Sequence, residues 1–383
     1  MSAATAERPL ALASAGVAVV GVTFGMARYG FGLLAPDIRA SFSLSSSALG
    51  VLAAASYAAY LVTSVAAGAL TARAGARLTV AAGGLLAAAG MTVAGLATGP
   101  GTLFAGLLIA GSSAGLVFPP FSDVVARRTE ARLRPRVLAA ISAGTGWGIC
   151  VAAPIALAVG ESWRTAWLLF AALAAAATAW AVMVLPPSEA RGDPIEPIRL
   201  SWFVCPRSGP LLAGAAGVGL ASSAYWTFAV DYLDGTGHLG RPESRAFLIA
   251  VGLASVAGTV SGDLVRRVGG RLTFALALAG EAAALVLLGF WPGNLVLVAV
   301  SALLFGAAYN VVVAVQVIWS ARVYEARPST GLAAIMAMLA LGLLLGPPLL
   351  GALADAAGFR TAFALAAVLA LATAALGPRE RLP

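Results

Sequence analysis

The sequence contains no lysine, a single histidine, two cysteines and few charges of either sign. Only 10% of its 383 residues are charged, whereas a soluble domain carries about 25%. With 60% hydrophobic residues and a mean hydropathy of +0.93, a soluble fold could not cover its surface with polar groups. The composition therefore excludes a water-soluble globular domain and indicates a polytopic membrane protein.

The scarcity of cysteine and histidine limits the chemistry. Cys150 falls in an apolar segment and Cys205 in a connection, so no disulfide framework is indicated. His238 lies in a short loop beside Gly237 and is interpreted as a solvated residue. Since no Walker loop, zinc-ligand spacing, nucleophile motif or cluster of catalytic side chains is present, we expect no enzyme, no cofactor and no metal site.

The net charge is +8, and all 24 basic residues are arginines. A strongly basic protein raises nucleic acid as a partner. Here the arginines lie in short connections between apolar segments, which is a signal of membrane topology. We therefore expect the lipid bilayer, not nucleic acid, as the partner of these charges.

Twelve apolar segments are long enough to cross a membrane, which requires ~20 residues as a helix. Transmembrane β-strands are excluded because they would be ~10 residues long with alternating polarity. The first segment is also too long for a cleavable signal peptide, so we expect none. The predicted spans, numbered 1 to 12, are 10–36, 47–70, 78–98, 101–125, 137–159, 164–185, 209–233, 244–265, 271–291, 294–321, 329–354 and 360–377.

The arginines are distributed unequally between the two faces that these spans define. Eighteen lie in the termini and even-numbered connections, five lie on the other face, and Arg28 lies within span 1. Because cytoplasmic loops are enriched in arginine and lysine, both termini are predicted to be cytoplasmic. The polar connection 186–208 is predicted to separate a six-helix bundle at 1–185 from a second at 209–383.

The two halves repeat each other. Asp37 recurs as Asp231, shifted by 194 positions. With the same shift, the residues after span 2 recur after span 8, so that Gly68, Arg73, Gly75 and Arg77 correspond to Gly262, Arg267, Gly269 and Arg271. Six helices per half give both copies the same orientation. Parallel repeats of this kind indicate a transporter with a substrate path near the membrane midplane.

The segment Gly68-Ala-Leu-Thr-Ala-Arg73-Ala-Gly75-Ala-Arg77, with the 6+6 repeat, resembles the major facilitator superfamily. That family's pattern after span 2 is Gly-x-Leu-Ala-Asp-Arg-x-Gly-Arg-Arg. The segment from Ala27-Arg28-Tyr29 to Pro36 is similar to the opening of the YbfB/YjiJ-like bacterial branch. The resemblance implies an all-α fold of twelve helices, a cavity between spans 1, 2, 4, 5 and 7, 8, 10, 11, and a place in the bacterial inner membrane.

The resemblance also implies a conformational role for the residues of the repeated motif. In the family, an acid of this motif belongs to a charge cluster that closes the cytoplasmic side of the outward-open state. Here Ala72 stands at that position, and Arg266 in the second copy, so whether the same lock exists is open. The motif residues are Gly68, Arg73, Gly75, Arg77, Gly262, Asp263, Arg267, Gly269 and Arg271.

Charges inside membrane spans are functional candidates, because each costs ~2.5–3.5 kcal/mol at a helix centre. Arg28 shares a helical stripe with Gly21, Gly25 and Gly32. One interpretation is that it faces the cavity, where it attracts an anionic group or pairs with an acid that titrates during transport. The other is that it forms a structural ion pair or extends to the headgroups. The cavity role is the prediction.

Three acids are further candidates. Glu281 lies about 15 Å into span 9. It either carries a proton or is a neutral side chain hydrogen-bonded to a neighbouring helix, since span 9 is peripheral in the family. Asp123 is either a cavity acid or a partner of Arg127 at i,i+4. Asp231 and its counterpart Asp37 lie near predicted outer helix ends, where a cap or gate is expected.

Aromatic and amide side chains complete the predicted substrate and coupling residues. The aromatics offer stacking surface to a ligand. The amides are either ligand contacts or interhelical hydrogen bonds. These residues are Tyr57, Tyr60, Trp147, Tyr225, Trp226, Tyr309, Asn310 and Gln316.

Direction and substrate are argued from one further motif. The family's drug–proton antiporters carry Gly-x-x-x-Gly-Pro-x-x-Gly-Gly in span 5. Span 11 keeps that spacing from Gly342 to Gly351 except at Leu350, while span 4 has Leu107 where these antiporters have arginine. The prediction is a monomeric, proton-coupled secondary transporter of a small organic molecule, with efflux of an amphipathic compound favoured over uptake of a small organic anion. A channel or membrane-embedded enzyme is the competing class.

Overall fold

The computed structural model describes residues 3–130, 132–187, 203, 205–255, 257, 261–325 and 327–379, and all regular elements in these ranges are helices. An all-helical fold is expected for apolar segments, because a lipid-exposed backbone must satisfy its own hydrogen bonds. The elements are α1 (Ala3–Val20), a π-helical turn (Gly21–Met26), α2 (Gly30–Phe42), α3 (Ser46–Gly95), α4 (Pro100–Arg128), α5 (Arg134–Val159), α6 (Trp163–Val184), α7 (Ser208–Gly235), α8 (Arg241–Ala254), α9 (Ser261–Val268), α10 (Gly270–Phe290), α11 (Leu295–Val323), α12 (Pro328–Ala357) and α13 (Phe359–Ala374).

These helices account for the twelve predicted spans, with three differences in detail. In the part of the chain that the structure describes, nine helical stretches are long and apolar enough to cross a membrane, and α13 is a shorter apolar helix. α3 carries two of the predicted spans, and α8 together with α9 replaces the single predicted segment 244–265. Span 1 is interrupted by the π-helical turn.

The break within α3 occurs at Gly75, where the predicted connection between spans 2 and 3 lies. Gly75 has φ 79° and ψ 163°, a conformation that side-chain-bearing residues rarely adopt. Gly269, its counterpart in the second half, has φ 92° and ψ 146° and precedes α10. Thr79 donates to the Gly75 carbonyl and Thr273 to the Gly269 carbonyl, each at 2.9 Å. The repeat therefore extends to backbone geometry and hydrogen bonding.

The chain divides into two compact units. The first unit comprises residues 1–37 and 55–196, and the second comprises 38–54 and 197–383. Most of the predicted linker at 186–208 lies outside the described residues, so the predicted boundary between two bundles stays a prediction.

Within the first unit, the broken first span packs on α5. A Cβ at Gly148 of α5 would overlap the carbonyl oxygen of Gly21, so the two backbones are in direct contact. Within the second unit, α7 packs on α12 in the same manner, and a Cβ at Gly342 would overlap the carbonyl oxygen of Ala216. Close approach of this kind requires small residues at membrane helix interfaces.

A second pair of crossings repeats as well. A Cβ at Gly111 of α4 would overlap Ser56 of α3, and one at Gly306 of α11 would overlap Val251 of α8. Both partners are related by a shift of 195 positions. The glycines that recur in the sequence therefore mark equivalent helix crossings in the two halves.

Candidate functional site

The first span changes its helical geometry in the middle of its length. The Ala27 N–H donates to the Val22 carbonyl at 2.9 Å and the Tyr29 N–H to the Phe24 carbonyl at 3.3 Å, both five residues back. A regular α-helix would bond four residues back. Such π-type turns are rare and often occur at functional sites. Here the turn rotates the residues that follow it, and Arg28 is one of them.

Arg28 is buried, with 7% of its surface exposed, among four aromatic rings. Its guanidinium carbon lies 4.4 Å from the Tyr60 ring centroid, 4.6 Å from Tyr57, 5.5 Å from Tyr29 and 5.8 Å from Phe24. We call these four residues the aromatic cage. The negative ring faces attract a cation, and the attraction is strongest where water is excluded.

The aromatic cage is assembled from two segments of the first unit. Phe24 and Tyr29 flank the break in the first span, while Tyr57 and Tyr60 lie one turn apart on α3. Phe24 also meets Tyr60 edge to face at 6.0 Å. A side-chain hydrogen bond joins Tyr57 to Arg28. The rings surround the guanidinium, which is a planar, permanently charged group of the kind that binds carboxylates through two parallel hydrogen bonds.

The sequence identified three members of this cluster, Arg28, Tyr57 and Tyr60. It did not single out Phe24 or Tyr29 as site residues. Phe24 lies four residues before Arg28, on the same helical face, so helical spacing alone was a usable signal.

A second aromatic cluster lies in the second unit. Tyr225 stacks on Phe305 with ring centroids 3.7 Å apart and planes 10° apart. Trp226 meets Phe305 and Tyr309 edge to face at 5.3 and 5.5 Å. We call these four residues the aromatic stack. The structure thus brings together three predicted residues and adds Phe305, one turn before Tyr309.

A hydrogen-bonded line connects the aromatic stack to α10. The Ser301 hydroxyl donates to the Ala284 carbonyl at 2.7 Å. Since that hydrogen is used, the Tyr225 hydroxyl donates to the Ser301 oxygen at 2.8 Å. Three helices, α7, α11 and α10, are joined by this line.

The remaining polar candidates differ in their surroundings. Asn310 donates to the Gly306 carbonyl of its own helix at 3.0 Å, and this bond is not interhelical. Glu281 and Gln316 are completely buried, and neither has a side-chain hydrogen bond to the residues the structure describes. Asp123 is half-buried in α4, and the Trp147 side chain on α5 is 54% exposed.

Asp231 takes part in an ion pair that the sequence did not predict. Arg39 donates to it from Nε at 2.9 Å and from Nη2 at 2.8 Å, in a bidentate arrangement. Arg39 also donates to the Ser46 hydroxyl at 3.0 Å. The Asp355 carboxylate accepts the Ser46 and Ser47 N–H groups, each at 2.8 Å, and so caps the first turn of α3. Residues 38–54 are thereby held on α7 and α12 within the second unit.

Charged residues in and near the repeated motif form local pairs in the described part of the chain. Asp263 pairs with Arg266 on the same helix, and Glu130 pairs with Arg132 at 2.8 Å. Arg77 lines a surface recess together with Arg127 and Arg128. Asp263 and Glu130 therefore each pair with an arginine close to them in sequence. Gly75 and Gly269 both have a positive φ, which favours glycine.

Two solved structures with a similar fold are those of transporters. The nucleoside transporter NupG aligns with a TM-score of 0.78 and 14% identity, covering 95% of this chain and 98% of that chain. A bacterial homologue of the human lysosomal transporter Spinster, in an inward-facing and occupied conformation, aligns with a TM-score of 0.75 and 14% identity, covering 98% and 96%. At this identity the likeness shows a shared fold and nothing more.

The relationship in sequence is more specific. The profile of a family described as "Uncharacterised MFS-type transporter YbfB" matches residues 20–377. Human monocarboxylate transporter 11 is 31% identical over 387 aligned positions, covering 94% of this chain and 80% of that protein. The chain therefore belongs to the YbfB-type family of the major facilitator superfamily and is a transporter, not an enzyme.

Proposed function

We propose that this transporter carries a small organic anion through the membrane by alternating access, coupled to the movement of protons. The observation that carries the proposal is the buried Arg28 in its aromatic cage, at the break of the first span. Broken helices near the membrane midplane are typical of substrate and ion sites in secondary transporters. A buried arginine keeps its charge and favours an anionic partner.

The chemistry of the cage favours a carboxylate on a small apolar body. The guanidinium offers paired N–H donors to the carboxylate. The surrounding rings offer apolar surface to the remainder of the molecule. A relative of the chain bears the name of a monocarboxylate transporter, which supports the same substrate class.

Coupling to protons supplies the energy in this proposal. No nucleotide-binding motif occurs in the sequence, and an anion moved together with a proton crosses the membrane without net charge. The protein functions as a monomer in the bacterial inner membrane, with both termini in the cytoplasm as the arginine distribution predicts. Lipid, the organic substrate and protons are its partners.

Efflux of an amphipathic compound is the second candidate. It is favoured by the antiporter-like spacing in α12, where Gly342 and Gly346 contact the backbone or side chains of α7. Gly346 lies directly against Ser223 and Leu220. Such a crossing positions α12 against α7 but carries no group that recognises a substrate, so the organic anion is preferred.

The test is uptake into proteoliposomes with a panel of radiolabelled solutes. The panel contains small monocarboxylates, a nucleoside and an amphipathic cation. We expect uptake of monocarboxylates, competition only among carboxylates, and loss of uptake with Arg28→Ala. Transport of the amphipathic cation alone would refute the anion proposal and favour efflux.

A further inference from the structure

Glu281 occupies an unusual position in the second unit. It lies in the middle of α10, on the face that carries Phe274, Leu278 and Leu285, and its exposed fraction is zero. Neither carboxyl oxygen has a hydrogen-bond partner among the described residues. An ionised carboxylate cannot remain in such surroundings without a compensating charge or donors. The described conformation therefore holds Glu281 as the neutral acid.

The charged groups of the neighbouring helices do not alter this conclusion. α10 packs against α7, α9, α11 and α13. Apart from Glu281, the charged residues of α7, α10, α11 and α13 lie in the first or last two turns of their helices, and the others lie on the short α9. These residues are Asp231, Asp234, Asp263, Arg266, Arg267, Arg271, Arg322 and Arg360. Glu281 is the twelfth residue of a 21-residue helix, remote from both ends.

Other buried polar groups lie near α10 on both sides of Glu281. Tyr232 donates to the Gly289 carbonyl at 2.8 Å, and Gly289 is about 12 Å along α10 from Glu281. Gln316 lies near Gly214, as does the ring of Phe274, and Phe274 precedes Glu281 on α10 by two turns. The Gln316 amide also has no hydrogen bond to the described residues. Buried polar groups thus occur at successive levels along α10.

The titratable groups facing this region are tyrosines. Tyr225 belongs to α7, and its hydroxyl joins the line through Ser301 to the Ala284 carbonyl, one turn beyond Glu281 on the same face of α10. Tyr232 is bonded to Gly289, and Tyr309 belongs to the aromatic stack. The line therefore runs from the aromatic stack to a carbonyl of α10 that lies one turn from Glu281.

We propose that Glu281 is the site that binds and releases the transported proton, inside the second unit and apart from the Arg28 cage. Protonation forms one O–H bond on the carboxyl group. Release returns that proton to water when the helices around α10 move apart and water reaches the carboxyl group. That this proton is the one transported with the substrate rests on the proposed function. The binding and release of a proton at Glu281 is independent of the substrate.

The experiment is infrared difference spectroscopy on the purified full-length protein during a pH titration. The wild type is compared with Glu281→Gln, with Glu281→Asp and with the control Glu325→Gln, whose carboxylate is exposed and paired with Arg322. We expect a carboxylic-acid carbonyl band at neutral pH that disappears reversibly as the pH is raised. Glu281→Gln should lose this band completely, Glu281→Asp should shift it, and Glu325→Gln should leave it unchanged.

The contrary results are equally clear. A band that is the same in wild type and Glu281→Gln, or one that never titrates while the protein stays folded, would overturn the proposal. If Glu281→Gln does not fold, the shift expected for Glu281→Asp decides instead. A titrating Glu281 band in a protein that transports no organic anion would refute the proposed substrate and leave the proton site standing.

In proteoliposomes that do transport, Glu281→Gln should separate coupling from substrate movement. Exchange of labelled for unlabelled substrate without a gradient should persist. Accumulation driven by an imposed pH gradient should be lost. Accumulation that keeps the wild-type dependence on the gradient would contradict the proposal.

Discussion

Arg28 is a charged residue buried among aromatic rings in the first span. Its charge is permanent, so the protein has to accommodate it and cannot neutralise it by losing the proton. The four rings of the cage do this by presenting their faces to the guanidinium. The interaction contributes about 2 kcal/mol or more when such a pair is desolvated.

Replacing Arg28 should therefore separate recognition from folding. Arg28→Ala removes a buried charge, so insertion into the membrane is expected to be preserved while transport falls below detection. Arg28→Lys should restore little activity, because lysine cannot form the bidentate contact that the anion proposal requires. Radiolabelled uptake and size-exclusion profiles measure the two properties.

The matched control is Arg360→Ala, which removes an exposed arginine from the start of α13. It should leave uptake near the wild-type level. An Arg28→Ala protein that is monodisperse and fully active would leave Arg28 with a structural role only.

Residues whose type is unusual in an apolar span could be predicted from the sequence. Residues whose partners lie far away in the sequence could not. Arg28, Tyr57 and Glu281 were found because a charge or a tyrosine in an apolar span is conspicuous. Arg39 was not, because its partner Asp231 lies 192 residues away and no spacing rule relates them. The role of Asp355 was not predicted for the same reason, since it caps a helix that begins 309 residues earlier.

At the scale of elements, small residues decide where helices meet. Gly148 of α5 contacts Gly21 of the π-helical turn, and Gly342 of α12 contacts Ala216 of α7. The glycines of span 1 and span 11 are visible in the sequence, but the change of span 1 to π-helical geometry is not. That change depends on how the first span fits against α5, which a single helical period cannot show.

Enlarging a glycine at such a crossing should destabilise the protein. We expect Gly148→Ala to lower stability by about 1–3 kcal/mol, the usual cost of overpacking, and Gly342→Ala to do the same in the second half. Thermal unfolding in detergent measures this. Gly101→Ala is the control, since a Cβ there meets no atom within 4 Å. Equal melting temperatures for all three variants would contradict the described crossings.

At the scale of the whole molecule, the arginine distribution predicts the orientation in the membrane. His238 and Arg132 are exposed in connections that the topology assigns to opposite faces. On a cysteine-free background, His238→Cys should react with an impermeant thiol reagent in intact cells. Arg132→Cys should react only after permeabilisation. Labelling of both from the same side would overturn the topology.

The alternating access proposed above requires some helix contacts to open during transport, and the contact of residues 38–54 with α7 and α12 can be tested for such a movement. Ser47 and Asp355 are joined through a backbone N–H and a carboxylate at 2.8 Å. On a cysteine-free background, the pair Ser47→Cys and Asp355→Cys should cross-link under oxidation and arrest transport, and reduction should restore it. Transport that continues at full rate through a complete cross-link would show that this contact does not move.

The most direct test of the central claim is the movement of protons that accompanies substrate. Proteoliposomes containing the wild-type protein and an internal pH-sensitive dye are mixed with a small monocarboxylate at equal pH on both sides. We predict substrate-dependent acidification of the interior in the wild type and none with Arg28→Ala. We also predict that a protonophore abolishes accumulation driven by an imposed pH gradient. Substrate uptake that proceeds without proton movement, and that is unaffected by collapse of the gradient, would contradict proton-coupled transport.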